Sequence, residues 1–329
     1  MDAILTLPDF EDVVAARARI AGEAAVTPLL TSAYLDELTG GRILLKAENL
    51  QRTGSFKFRG AFNRLSQIPV EDRGPGVVAC SSGNHAQGVA EAARLLGMPA
   101  TIVMPEDAPE AKLARTRRAG AQVVTYVRGV EDREAIANAL CVETGATMVH
   151  PYNDPGVIAG QGTSGAEIVE QANALGLSPD TMLTCAGGGG LTAGIALALE
   201  SLAPDCELLP VEPAGFDDYG RSLVAGARVS NPAEGGSVCD AILTPTPGER
   251  SFAIVSRRAT RGLVVTDEEA LAAVAFAFRE LKLVVEPGGA VCLAAVLTGK
   301  LPVKGRTVAL TLSGGNIDAE VLARALALH

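Results

Sequence analysis

Residues 76–105 read GVVACSSGNHAQGVAEAARLLGMPATIVMP, and this stretch decides the fold. GVVAC (76–80) is a short β-branched run, ended by SSGN (81–84). In HAQGVAEAARLLG (85–97) apolar residues return every three or four positions, the period of an amphipathic helix. ATIVMP (100–105) is a second apolar run, too short for a helix and bounded by turn residues. A strand, a helix and a strand so joined form a βαβ unit with parallel strands. The same alternation continues through APEAKLARTRRAG (108–120), AQVVTYV (121–127), a helix near 131–144 and ATMVHP (146–151). This is α/β logic: a parallel sheet with helices on both faces.

A second series follows. A helix near 162–175 leads to TMLTCA (181–186), GGGG (187–190) and a helix at 191–202, then to CELLPVEP (206–213). Helices near 267–281 and 288–299 precede RTVALTL (306–312), SGGN and a last helix to Leu328. The stretch 216–247 is rich in Gly, Pro and Asp and reads as irregular; its length predicts a segment that packs over a site. Two α/β lobes with a ligand cleft between them are expected.

Composition removes several classes. The chain has 329 residues, 48% hydrophobic and 20% charged, which suits a globular protein with a sizeable core. Lys plus Arg number 28 against 38 Asp plus Glu, a net charge of −10. An acidic chain without a basic run is not a nucleic-acid binder. No apolar run reaches the roughly 18 residues that span a bilayer, and the acidic start MDAILTLPDFEDVV is not a signal peptide. Cys80, Cys141, Cys185, Cys206, Cys239 and Cys292 form no CxxC pair and read as small buried residues of a cytoplasmic protein. His85, His150 and His329 are too scattered for a His-rich zinc site, and no GxSxG elbow exists.

Five segments carry chemistry. In SFKFRGA, Lys57 lies between Phe56 and Phe58 near a helix start. Desolvation and the helix N-terminus both disfavour an ammonium there, which makes a reactive amine; the alternative is a surface lysine on an amphipathic helix. SSGN, Ser81 to Asn84 before His85, opens a helix and suits a carboxylate, or is an ordinary N-cap. GGGG, Gly187 to Gly190, allows the backbone to wrap a phosphate at a helix N-terminus. The same loop fits a dinucleotide outline through Gly188, Gly190 and Ala193, with Glu212 at the next strand end. A second match, Gly160, Gly162 and Gly165, lacks a preceding strand, and there is no Walker A loop. LSGGN, with Ser313 and Asn316, again follows a strand. In VEPAGFDD, Glu212, the Phe216 carbonyl and Asp218 offer hard oxygen ligands, or are a solvated acidic loop.

KAENLQRTGSFKFRGA, SSGNHAQGVA, HPYNDP…AGQGT, GGGGLTAGIA, EPGGA and LSGGN, in this order, resemble the fold-type II pyridoxal-phosphate enzymes of the threonine dehydratase and serine racemase group. The resemblance runs from about residue 20 to the end of the chain. It implies a two-lobed, tryptophan synthase β-like α/β fold, with residues 76–153 as the small lobe and 1–75 with 154–329 as the large one. It implies that Lys57 carries pyridoxal 5′-phosphate and removes the substrate α-proton. Phe56 would flank the ring, Asn84 bond its 3′-oxygen, Gly187, Gly188, Gly189 and Gly190 hold the phosphate, and Ser313 face the pyridine nitrogen. Ser81, Ser82, Gly83, Asn84 and His85 would hold the substrate carboxylate. Some members bind a divalent cation through Glu, a carbonyl and Asp; here Glu212, Phe216 and Asp218 would hold Mg²⁺, Ca²⁺ or Mn²⁺. A homodimer is also implied.

The activity so implied is an ammonia-lyase that eliminates the β-hydroxyl of L-threonine or L-serine, giving a 2-keto acid and ammonia. A neutral hydroxyl at Ser313 does not hold the ring nitrogen protonated, which favours β-elimination over long-lived carbanions. Many bacterial threonine dehydratases have Ala at the place of Ser82, whereas serine racemases and hydroxyaspartate dehydratases have Ser. A second-face acid/base at Ser82 therefore keeps serine racemase or 3-hydroxyaspartate ammonia-lyase as alternatives. Asp240-Ala241 replaces the family's frequent Asp-Gly. The motifs leave the substrate's β-substituent open: hydrogen, methyl or carboxylate. The chain ends one helix after LSGGN, so feedback control by a distal amino-acid site is not expected. An NAD-binding or non-catalytic α/β protein is the remaining reading.

Overall fold

The computed structural model describes residues 5–81, 83–108, 110–232 and 235–328. Over them the strands are β1 Leu29–Leu30, β2 Arg42–Ala47, β3 Val77–Cys80, β4 Ala100–Pro105, β5 Gln122–Tyr126, β6 Thr147–Met148, β7 Thr181–Cys185, β8 Glu207–Pro213, β9 Leu263–Val265 and β10 Thr307–Leu312. They form a six-stranded sheet, β1-β2-β10-β7-β8-β9, and a four-stranded sheet, β5-β4-β3-β6. Only the β1–β2 pairing is antiparallel. The molecule is thus α/β, with two parallel-rich sheets.

Strand alternation explains how both faces of the larger sheet are buried. Leu183 and Cys185, Leu209 and Val211, and Val308, Leu310 and Leu312 point into one core, shared with the helices Asp267–Phe276 and Pro287–Leu297. Their neighbours Met182, Leu208 and Ala309 point into a second core under the helices Pro155–Ala174 and Gly190–Leu202. The smaller sheet packs its own core against the helix Asn84–Leu96 and the helix Lys57–Ser66. In the latter, Phe58, Ala61, Phe62 and Leu65 fall at helical spacing and are buried.

Several boundaries differ from the sequence reading. The helix expected at 162–175 begins at Pro155, because Asp154 caps it by accepting from Val157 N and Pro155 occupies its first turn. The helix expected at 267–281 is α-helical only to Phe276; Ala277–Leu281 is a π turn ended by Lys282 at φ 59°. The stretch 216–247 is not wholly irregular: it contains the helix Asp218–Ala225 and a 3-10 turn, Asp240–Ile242.

Glycines set the approach of the long helix Pro155–Ala174. A Cβ on Gly160 would lie 2.6 Å from Gly60 Cα, and one on Gly194 would lie 2.4 Å from Gly162 N. Gly160 and Gly162 are therefore helix-packing residues, which disposes of the second dinucleotide match.

The same helices enclose a charge cluster. Arg59, two residues after Lys57, is fully buried; it donates to Glu48 Oε2 at 2.8 Å and to Glu167 Oε1 at 2.7 Å. Lys46 Nζ donates to Glu167 Oε2 at 2.6 Å and to Thr27 O at 2.7 Å. Two cations and two carboxylates balance, and each is hydrogen-bonded. Removal of one partner from such a set costs about 3–5 kcal/mol.

Candidate active site

Three segments follow the C-terminal ends of parallel strands: Ser81, Gly83 and Asn84 after β3, Gly187–Gly190 after β7, and Ser313–Asn316 after β10. That is where open α/β sheets bind ligands. Lys57 reaches the same place from the first turn of its helix. Its Nζ donates to Pro151 O at 3.0 Å and lies 5.1 Å from the centre of the Phe56 ring. Burial lowers the Lys57 pKa to about 8, against the opposing pull of Glu286. At pH 7 about a tenth of this lysine is free amine, far more than an ordinary lysine offers a carbonyl.

Phe56, Lys57, Asn84, Gly187, Gly188, Gly189, Gly190 and Ser313 line one pocket, so the expected cofactor residues converge. The glycine loop has no room for side chains. A Cβ on Gly188 would sit 2.3 Å from Tyr152 Cγ, and one on Gly189, at φ 88°, 2.2 Å from Tyr219 Cε2. Gly189 caps the helix Gly190–Leu202 without any side-chain bond, leaving the first-turn N–H groups for an anion. The helix Asn84–Leu96 also starts from a glycine, Gly83, with no side-chain cap. Two bare helix N-termini thus serve one cleft, one suited to a phosphate and one to a carboxylate. With the lysine, these features fit pyridoxal phosphate.

Asn84 is already engaged. Its Nδ2 donates to Glu286 Oε1 at 2.6 Å, and its Oδ1 accepts from Asn316 Nδ2 at 2.8 Å. Burial pushes Glu286 up to about 7, although the Asn84 bond works the other way. The Ser313 main chain ties the loops together: its carbonyl accepts from Phe56 N, and its N–H donates to Gly289 O.

A cavity of about 160 Å³ adjoins the cofactor pocket. Ser81, Gly83, Asn84 and His85 line it with Lys57, Lys112, Arg133 and Asp240. Ser82 lies outside the described residues. His85 Nε2 must be the donor to Val149 O at 2.9 Å, because a carbonyl only accepts, and its buried Nδ1 has no partner. Burial, with Lys57 adding to it, lowers His85 to about 3, so the ring is neutral. His85 can assist a carboxylate only through its backbone N–H. The cations of the cavity are Lys57, Lys112 and Arg133.

Glu212, Phe216 and Asp218 sit elsewhere, at the end of β8 and the start of the helix Asp218–Ala225. Glu212 accepts from Tyr219 N at 2.9 Å and Gly220 N at 2.8 Å. Asp218 Oδ1 accepts from Asn231 Nδ2 at 2.6 Å, while Oδ2 is buried without a partner. Burial raises both carboxyls, Asp218 to about 6, and Asp218 adds repulsion at Glu212. Among the described residues no three His, Cys, Asp or Glu side chains gather as a metal site. Two buried acids and one orphaned oxygen still fit a hard cation. They do not fit a dinucleotide, because Glu212 is buried with both oxygens engaged and cannot meet a ribose.

Sequence reasoning assigned no role to Glu286, Tyr152, Lys112 or Arg133. Glu286 precedes Pro287 at the start of an otherwise apolar helix, where an acid is ordinary because the helix dipole favours it, so its local sequence did not mark it as functional. Lys112 and Arg133 lie on ordinary amphipathic helices and carried no mark either.

A family model described as "Pyridoxal-phosphate dependent enzyme" matches residues 20–314. The chain is 45% identical over 324 residues to an L-threo-3-hydroxyaspartate ammonia-lyase of a Pseudomonas species, covering 98% of this chain and 99% of that one. It is 40% identical to a serine racemase of Schizosaccharomyces pombe, covering 96% of each. The crystal structure of a threonine deaminase superposes with a TM-score of 0.89 at 48% identity, covering 94% of this chain and 99% of that one.

Proposed function

Because the chain belongs to the family of pyridoxal-phosphate dependent enzymes, we propose that its cleft is an ammonia-lyase site for a β-hydroxy amino acid that carries a second carboxylate, L-threo-3-hydroxyaspartate. One observation carries the choice of substrate: Lys112 and Arg133 line the same cavity as Lys57, Ser81, Gly83, Asn84 and His85. One bare helix N-terminus suffices for the α-carboxylate. L-serine and L-threonine offer nothing further to a cation, whereas a β-carboxylate does. The 45% identical relative named for this substrate supports the reading.

Pyridoxal phosphate, when bound, supplies the electron sink that acidifies the substrate's α-carbon. The protein's part is positional. The N-terminus of Asn84–Leu96 orients the α-carboxylate, and Lys57 Nζ takes the α-proton. The β-hydroxyl leaves with a proton as water; hydrolysis of the resulting imine returns one water and releases ammonia. The net products are oxaloacetate and ammonia.

The opposite-face role of Ser82 belongs to this reading: Ser82→Ala is expected to abolish L-to-D conversion while elimination from L-substrates persists. So do a divalent cation at Glu212, Phe216 and Asp218, and the lobes 76–153 and 1–75 with 154–329. A cytoplasmic location fits six cysteines outside any disulfide. Among the described residues no helix is long and apolar enough to cross a membrane. A homodimer fits the exposed Tyr34, Leu38 and Phe278, and light scattering tests it. The function is tested by keto-acid release from L-threo-3-hydroxyaspartate, L-serine, L-threonine and D-serine, with chiral analysis of remaining substrate. A kcat/KM for hydroxyaspartate below that for serine or threonine sinks the substrate assignment.

A further inference from the structure

We infer that Asp240 is a built-in occupant of the distal anion site: its carboxylate holds Lys112 across the cleft until a ligand's second carboxylate displaces it. The inference deepens the substrate reading above and rests on it for what the displacing group is.

Lys112 lies on the helix Glu110–Arg118, beside the smaller sheet. Asp240 opens the 3-10 turn Asp240–Ile242, which packs against the larger sheet's core. The pair therefore bridges the two halves of the molecule, with Lys112 Nζ 2.8 Å from Asp240 Oδ2. Both residues line the cavity that holds Lys57 and His85. This is an ion pair inside the substrate's space.

The two partners differ in their ties to water. The Lys112 side chain is 14% exposed and the Asp240 side chain 60%. Lys112 is already largely desolvated, and leaving it unpaired is unfavourable. Asp240 can swing out and rehydrate cheaply. Its turn is anchored independently: Ile242 is buried in the larger sheet's core, and its N–H donates to Cys239 O at 3.0 Å. Release of the Asp240 side chain therefore need not move the turn. A second acid, Asp318, stays 3.8 Å from Lys112 Nζ and keeps partial compensation during the exchange.

The exchange is selective by charge. A dicarboxylate replaces one Lys112–carboxylate contact with another, so no buried charge is left alone. A monocarboxylate has no group to offer and meets the closed pair. Asp240 also repels any dianion, so it lowers affinity for the ligand class that Lys112 attracts.

The test uses holoenzyme and two probes, succinate and butanoate, titrated by calorimetry at one low ionic strength. Asp240→Asn is expected to bind succinate roughly fivefold more tightly than wild type, and Lys112→Gln roughly fivefold more weakly. In the double variant the gain from Asp240→Asn should vanish, because it acts through Lys112. Asp240→Ser serves as a second neutral variant, and the cofactor's visible band checks that each protein is loaded. Unchanged or weaker succinate binding in both neutral variants overturns the inference. So does a gain that survives in the Lys112→Gln background, an equal gain for butanoate, or no measurable succinate binding by any of the proteins. Absence of hydroxyaspartate turnover sinks the substrate reading alone, and the succinate titration still decides the role of Asp240.

Discussion

Asn84 Nδ2 donates to Glu286 Oε1 at 2.6 Å, joining the start of the helix Asn84–Leu96 to the cap of the helix Pro287–Leu297. The first helix packs on the smaller sheet and the second on the larger, so this bond crosses the cofactor pocket. Glu286 N also donates to Gly314 O, and Asn316 closes the chain of bonds. One carboxyl therefore sets the orientation of Asn84 and influences the charge of Lys57.

Glu286 should make the protein less stable as pH rises. Its folded value, about 7, lies above the ordinary 4.5. Between these limits the folded state holds a proton that the unfolded state has lost, so stability falls as pH increases through the window. Glu286→Gln removes the titration and keeps the acceptor for Asn84. Urea unfolding of the apoprotein at pH 4.5 and pH 8 should show wild type losing on the order of 1–3 kcal/mol relative to the variant. Parallel pH dependences would mean that Glu286 is not protonated in the fold.

Lys57 should capture pyridoxal phosphate at a rate that rises with pH through about 8 and then levels, following the free amine. Glu286→Gln should move that midpoint downward, because the lost carboxylate was holding the ammonium form. Borohydride reduction and peptide mapping should place the pyridoxyl group on Lys57, and Lys57→Ala should lose turnover. Label on another lysine refutes the assignment.

The parts of this site written in contiguous sequence were legible, and those assembled across the fold were not. SFKFRGA, SSGN, GGGG and LSGGN each place a loop at a strand end or a helix start, and strand alternation places those ends together. Asn84 and Glu286 are 202 positions apart, and nothing local says that one holds the other. Tyr152 stands over the glycine loop through a turn whose strand, Thr147–Met148, is shorter than its β-branched surroundings suggested. The helix Asp218–Ala225 was missed because Gly, Pro and Asp around it read as breakers, while buried Tyr219 and Leu223 hold it by tertiary contact.

The buried cluster under Lys57 makes a stability prediction. Glu167→Gln leaves Lys46 and Arg59 against Glu48 alone, and should cost about 3–5 kcal/mol at pH 6. Burial already lowers the Lys46 pKa. With Glu167 neutralised that value falls further, so in the variant the folded state sheds a proton the unfolded state keeps. The loss should therefore shrink as pH rises toward 9. Denaturant melts at the two pH values check this; a loss independent of pH would assign the cost to packing rather than charge.

A divalent cation should bind between β8 and the helix Asp218–Ala225. Glu212 and Asp218 are both wholly buried there, and Asp218 Oδ2 has no hydrogen-bond partner. Two acids in such a place are either protonated or neutralised by a cation. Oxygen ligands of this kind accept Mg²⁺, Ca²⁺ or Mn²⁺ with little discrimination, since waters complete the shell. The helix it would anchor begins the 216–247 stretch, which reaches the cleft through Asp240, Ala241 and Ile242. The cation should therefore act on stability and on the seating of that stretch, without touching the reacting atoms. Removing metal with a chelator should lower the melting temperature by roughly 3–8 °C, and adding metal should restore it. Glu212→Gln combined with Asp218→Asn should abolish the response while the cofactor's visible band remains. If wild type ignores the chelator and elemental analysis finds no metal, the two acids are held neutral by their protons, and Asp218 Oδ2 carries one of them.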